Sequence, residues 1–402
     1  MKRWLGWLVA GLIWCTQSSA ADAVPPQGAL VIIGGALRAD NAVIWQRIVA
    51  LSGGAGARIA VLPTAAGNPE RSGRNIAAQL NRHGAAAFVV PLAPAYKQRD
   101  YRRDAEDEQL AQNIRQAGGV YFAGGDQTRI TRALVRPDGS RTAVLQAIWE
   151  MYERGGVIAG TSAGAAIMSS TMYDETRSVI DTLTSGVSDG AELAPGLGFI
   201  GNDIFVDQHL LARGRFARML PAMLKKGYKL GLGIDENTAL VIRGQRDVEV
   251  LGYQGALLLD LQQATVDGAL AQFNLSNARI SYYDRGDRFE LPSGRYTPSA
   301  DKIDGKVDPA HPANRQPVYS SDILGHNAVL ILMERLIDNV HTQALGIATA
   351  APGEPHPELG YEFKFSRVAE SEGYESASSE AYTVLRLRLD VRPLQISQPW
   401  YR

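Results

Sequence analysis

The 402-residue chain has almost no cysteine: Cys15 is the only one, and it lies in the first segment of the sequence. Disulfides, a thiol nucleophile and cysteine-based metal sites are thereby excluded from everything downstream, so a catalytic nucleophile must be an oxygen. An excess of either charge is also missing, with 41 basic against 42 acidic side chains. That balance argues against a nucleic-acid surface and requires any charged ligand to be met by a local cluster. Beyond the N-terminus no apolar run is long enough to cross a membrane. There is no internal repeat. His311, His326, His341 and His356 show no pairing at metal-ligand spacing, so no metal site is expected.

What is present begins with Met1-Lys2-Arg3, an apolar stretch through Cys15, and small residues that offer cleavage near Ala20 or Ala23. This reads as a secretory signal over residues 1–23 and implies export, to the periplasm or outside the cell. From residue 28 continuous apolar runs alternate with helical patterns. Strands are expected over 29–35, 57–63, 86–92, 120–123 and 157–160, with helices over 68–83, 104–117, 127–134 and 143–154. Such alternation predicts an α/β fold with a mostly parallel sheet flanked by helices, whose ligand crevice lies beyond the carboxyl ends of the strands. Gly34-Gly35, Gly124-Gly125 and Ser162 all fall at such ends.

The most informative segment is Gly160-Thr161-Ser162-Ala163-Gly164, an apolar strand running through a tight turn into a helix-forming run. Small residues around a serine permit the sharp turn that holds a hydroxyl out at a strand end, and they leave the Ala163 N–H free to stabilise an oxyanion. Such a serine needs a base. His83 follows a helix, and His311, His326, His341 and His356 lie in the loop-rich C-terminal portion. His209 alone leaves an apolar strand, in Asp207-Gln208-His209. Downstream, Asp235 and Glu236 interrupt a further apolar strand. Adjacent strand residues face opposite ways, so one of the two points toward the core or crevice and is a candidate for orienting the histidine. Arg213, Arg215 and Arg218 follow His209 closely, and guanidinium forks bind carboxylates bidentately, which points to an acidic substrate.

Together the Gly124-Gly125-Asp126-Gln127 turn, the Ser162 elbow, the Asp207-to-Arg218 stretch and Gly233-Ile234-Asp235-Glu236-Asn237 resemble the cyanophycinases. These are serine peptidases grouped with aspartyl dipeptidase on a class I glutamine-amidotransferase-like (flavodoxin-like) fold. The resemblance implies Ser162 as nucleophile, His209 as general base and Glu236 as the residue orienting it. It implies Gly125 and Ala163 as oxyanion donors, and Gln127, Asp207, Gln208, Arg213, Arg215 and Arg218 as substrate-binding positions. The implied substrate is cyanophycin, a poly-aspartate backbone bearing arginine on each side-chain carboxyl, cut to β-Asp-Arg dipeptides without a cofactor. A peptidase for other aspartyl or β-aspartyl dipeptides, and a non-catalytic exported binding protein on the same fold, are the alternatives.

The motifs cover about residues 28–275, so a catalytic domain is expected over 24–275. Residues 276–402 are expected to form an α+β extension, packed on the core or a small separate module, with polymer binding or a homodimer contact as a candidate role. Within or before it, antiparallel strands are expected over 248–259 and 269–283, loop over 284–320, an amphipathic helix over 322–341, and alternating strands toward the C-terminus.

Overall fold

Five short apolar runs form parallel strands, four of them buried on both faces and the fifth, at the sheet edge, only partly buried. They are β1 (Ala29–Ile33), β2 (Arg58–Leu62), β3 (Ala86–Val89), β4 (Gly119–Phe122) and β5 (Val157–Thr161), paired in the order β1-β5-β4-β2-β3. The computed structural model describes residues 28–397 apart from 175, 176, 245 and 352, so the expected secretory signal lies outside the described residues. Helices Ala42–Leu51 and Pro69–Arg82 cross between the first three strands. Pro69 occupies the first turn of its helix, and the Asn68 side chain accepts the Arg71 N–H, a pairing that fixes the helix start. The single helix expected over 104–117 is two, Tyr101–Ala105 and Glu108–Arg115. Asp107 is the reason: its carboxylate caps the Gln109 and Leu110 N–H groups and restarts the helix.

The chain then leaves this sheet. After a two-stranded ribbon of β6 (Thr171–Tyr173) and β7 (Leu193–Pro195), β8 (Ile204–Gln208) and β9 (Leu230–Ile234) pair in parallel at the edge of a second sheet. β10 (Thr238–Arg243) returns to run antiparallel to β1, and β11 (Asp247–Gly252) pairs with β10. β12 (Ala256–Asp260) adds antiparallel to β9, and β13 (Leu275–Tyr283) adds to β12. β14 (Arg288–Glu290) and β15 (Tyr296–Thr297) extend the first sheet beyond β11. β16 (Val318–Ser320), β17 (Gln343–Thr349), β18 (Leu359–Ser366), β19 (Glu372–Glu375) and β20 (Tyr382–Gln395) complete the second, in the order β16-β17-β18-β20-β13-β12-β9-β8 with β19 on β20.

The two sheets share a core. Leu30 and Ile32 from one face of the first sheet cluster with Ile204, Val206, Leu232 and Ile234 of the second. Val31, Ile33 and Val61 pack on the opposite face with Ile44 and Trp45. The far face of the second sheet is covered by helices Phe216–Lys226 and Ala328–Ile337. The architecture is therefore α/β, with a mixed first sheet that is parallel from β1 to its β3 edge and an α+β extension that adds β14 and β15 to the first sheet and its other strands to the second. No helix among the described residues is long and apolar enough to cross a membrane.

Two expectations for the extension change. The helix expected over 322–341 is confined to Ala328–Ile337, because Asn327 adopts a left-handed conformation (φ +57°) that no helix continues through. Val329, Leu332 and Leu336 are buried as the pattern requires, whereas Val340 is 42% exposed. The stretch 284–320, read as loop from its composition, contains β14, β15 and β16 around a buried polar cluster. Lys302 there is fully buried, 3.0 Å from Asp284 and 3.6 Å from Asp287.

Candidate active site

The carboxyl end of β1 is the organising point. Its three successive carbonyls each hold a different loop: Ile33 O accepts the Ser162 N–H at 3.0 Å, Gly34 O the His209 N–H at 2.8 Å, and Gly35 O the Asn237 N–H at 2.8 Å. Three segments far apart in sequence are thereby locked to one strand end. Gly35 cannot carry a side chain here. Its φ is +117°, and a Cβ would lie 2.3 Å from His209 Cε1.

Ser162 sits at φ +54° and ψ −109°, a strained backbone for a residue with a Cβ. Strand and helix close tightly around it, since a Cβ on Gly160 would stand 2.2 Å from the Gly164 carbonyl oxygen. The Ser162 side chain does not cap the short helix Ala163–Ala166 that follows. Its Oγ instead lies 2.9 Å from His209 Nε2. His209 Nδ1 lies 2.5 Å from Glu236 Oε1, which fixes the tautomer with Nδ1–H toward the carboxylate and Nε2 free to accept the serine proton. Burial pushes the His209 pKa below its ordinary value. The hydrogen bond that His209 donates to Glu236 opposes this, and the Arg213 and Arg215 charges add to it. Burial therefore favours the neutral imidazole, the form that can accept a proton.

Of the two adjacent carboxylates, Glu236 meets the histidine and Asp235 turns inward. Asp235 Oδ1 accepts the Leu211 and Ala212 N–H groups, both at 3.1 Å, and so holds the turn that carries His209. Burial raises the Asp235 pKa. The Gly124-Gly125 turn lies against the elbow: a Cβ on Gly124 would be 3.2 Å from Ser162 Cβ, and the Asp126 N–H bonds Ala65 O at 3.0 Å. Gly124 thus touches the serine, and Gly125 follows it in the same turn.

The three arginines have three different environments. Arg218 forms a bidentate pair with Asp207, both bonds 2.7 Å, with each side chain only 3% exposed, and its guanidinium stacks 4.2 Å above the Tyr173 ring. The expectation that these two charges face a substrate therefore meets a different arrangement, in which each neutralises the other inside the protein. Arg215 is buried and donates to Gln208 O at 3.0 Å; burial lowers its pKa to about 10, which leaves it cationic at neutral pH. Arg213 is exposed. Gln127 donates to Tyr173 O at 2.6 Å, and Gln208 is buried with its Oε1 unpartnered among the described groups.

The profile of peptidase family S51 matches residues 30–250, more than half of the chain. The chain belongs to peptidase family S51. It is a serine-type peptidase. Relatives of this S51 peptidase include a cyanophycinase of Geminocystis herdmanii, 31% identical over 273 residues that cover 65% of this chain and 93% of that protein. A cyanophycinase of Trichormus variabilis is 29% identical across 71% of this chain and 94% of its own length. One of Synechococcus elongatus is 29% identical across 66% and 80%.

Two groups in the S51 site have a role that no residue pattern assigns to them. Asn237, at φ +54°, accepts the Arg38 N–H (3.1 Å) and Asn41 Nδ2 (2.9 Å) on its side-chain oxygen. Asn41 also bonds the Asn237 carbonyl at 2.9 Å, and it is 3% exposed. This clamp holds the residue after Glu236. Asn237 ends the Gly233-to-Asn237 motif, whereas only the Gly34-Gly35 pair just upstream marked the region of Asn41.

Proposed function

We propose that this chain is an exported serine exopeptidase that hydrolyses cyanophycin to β-Asp-Arg dipeptides through an acyl-enzyme on Ser162. The observation that carries the reading is the hydrogen-bonded line Ser162–His209–Glu236, 2.9 Å and 2.5 Å. The cyanophycinase relatives support the substrate. The basic and apolar leader of residues 1–23 supports export.

In this reading Ser162 Oγ attacks a backbone peptide carbonyl of the polymer while its proton passes to His209 Nε2. Glu236 stabilises the imidazolium that forms and keeps the ring oriented. The Gly125 and Ala163 N–H groups receive the oxyanion; a single such donor is worth about 10²–10³ in kcat. Collapse expels the amine, which takes the proton from Nε2, and a water activated by the same nitrogen releases the acyl group. Arg215, cationic beside His209, favours a substrate that brings carboxylates to the site. The Arg218–Asp207 pair would act from beneath, by fixing the strand end that presents Gln208 and His209.

The test is incubation of the purified protein with insoluble cyanophycin, followed by mass analysis of the soluble fraction. β-Asp-Arg is the expected product. Release of free arginine with an intact polyaspartate backbone, or no release, would overturn the assignment.

A further inference from the structure

The extension reaches the catalytic loop directly. The Asn327 N–H bonds Leu211 O at 3.2 Å, and Leu324 packs so closely on Gly214 that a Cβ there would lie 2.2 Å from the Leu324 carbonyl oxygen. Gly214 lies between Arg213 and Arg215, so residues 322–327 are seated on the turn that follows His209. Beside this contact opens a cleft of about 920 Å³. One wall is Ser178, Val179, Ile180 and Arg213. The other comes from the extension and includes Asp322, Leu324, Thr349 and Glu354. The volume falls within the range of sites for small ligands, roughly 300–1,000 Å³.

The lining carries both signs of charge. Arg213 is the one arginine of its group left exposed, and its backbone N–H bonds His209 O at 3.2 Å, which places it one turn from the base. Across the cleft Asp322 is exposed, and Glu354 is half-buried and steadied by the Ala351 N–H at 2.6 Å. A cation facing two carboxylates suits a zwitterion whose own charges stand a few bonds apart. Each arginyl arm of cyanophycin is such a group, with a free α-carboxylate and a guanidinium.

We propose that the extension and Arg213 together form a subsite for the arginyl arm of a repeat beyond the two that flank the bond being cleaved, Arg213 taking its carboxylate and Asp322 and Glu354 its guanidinium. This rests on the reading of the chain as a cyanophycin hydrolase and adds what the extension does for it. The polymer is thereby held by a repeat that a two-repeat oligomer lacks, and affinity rises with chain length. Guanidinium arms are favoured over ammonium arms, because the planar fork can engage a carboxylate through two donors.

The experiment compares the full-length protein with the double variant D322N/E354Q on soluble β-Asp-Arg oligomers of two and six repeats. In the wild type the longer oligomer has the lower KM. In the variant its KM rises roughly two- to thirtyfold, the span of two partly exposed ion pairs. KM for the two-repeat oligomer and kcat for both stay within twofold. The charge-preserving pair D322E/E354D keeps the wild-type length dependence. An unchanged KM ratio in D322N/E354Q overturns the subsite, as does an equal loss of kcat on both oligomers, which would mark a merely structural role. A wild-type protein that cleaves neither oligomer overturns this inference and the functional reading together, so the two failures are distinguishable.

Discussion

Replacing Gly35 by alanine tests the claim that the end of β1 sets the catalytic geometry. The added Cβ would lie 2.3 Å from His209 Cε1 and 2.4 Å from Nε2. Carbon atoms in contact prefer about 3.5–4.0 Å, so the ring must retreat by roughly 1 Å or more. His209 cannot retreat freely, because its N–H is held by Gly34 O and its Nδ1 by Glu236. The displacement therefore falls on the Oγ–Nε2 contact. A misplacement of about 1 Å at a reacting group costs on the order of 10²-fold in rate. Alanine at φ +117° adds backbone strain of about 1–3 kcal/mol to the folded state. G35A should thus lower kcat by about 10²-fold while lowering Tm by several degrees. Initial rates of β-Asp-Arg release, read beside labelling of Ser162 by a serine-reactive phosphonate, measure both the turnover and the nucleophile. A folded G35A enzyme with kcat within tenfold of wild type would refute the hub, since the histidine would then not depend on Gly35.

Three further outcomes follow from the same contacts. Because burial lowers the His209 pKa and the neutral imidazole is the active form, kcat/KM should rise through an acid limb below the ordinary histidine value and be flat at neutral pH. Glu236 raises that pKa and Arg213 lowers it, so in pH–rate profiles E236Q should move the limb down and R213Q up; shifts of the same sign would contradict the assignment. D235A removes the acceptor of two buried N–H groups at 3.1 Å and should cost about 2–4 kcal/mol in urea unfolding, whereas D235N, which keeps an oxygen, should cost less. R218M strands a buried Asp207 carboxylate and should destabilise by about 3–5 kcal/mol; adding D207N should recover part of that loss, which a double-mutant cycle would measure.

Much of the site was legible because it depends on local patterns. The small residues around Ser162 record a turn too tight for larger ones, and His209 and Glu236 each follow a continuous apolar strand. The choice between Asp235 and Glu236 was not legible from spacing, since adjacent residues face opposite ways and either could meet the ring. Asp235 turned inward because two backbone N–H groups of the 211–212 turn needed an acceptor. The partner of Arg218 was hidden for a similar reason. A cluster of arginines reads as a free cationic surface unless the fold reveals a carboxylate beneath it, and Asp207 is eleven positions earlier in the chain.

Sheet membership was harder to read. β8 and β9 look like two more strands of the first sheet, for their apolar runs resemble those of β4 and β5. They belong to the second; they pack on β1 through the shared core and are hydrogen-bonded to the chain at its carboxyl end through the loops that carry His209 and Asn237. Nothing local to either strand distinguishes the two sheets. In the extension, the amphipathic pattern over 322–341 overstated the helix because Asn327 breaks it from one backbone conformation, a choice that the seating of 322–327 on Gly214 imposes.

The central claim is that Ser162 carries the acyl group of a polymer cleaved at its backbone. Acid-quenched mass spectrometry of the enzyme mixed with cyanophycin, followed by peptide mapping, measures this directly. The expected result is an aspartyl-arginine acyl adduct on the peptide containing Ser162, absent from S162A, which should also release no β-Asp-Arg. Turnover retained by S162A, or an adduct mapping elsewhere, would contradict the account.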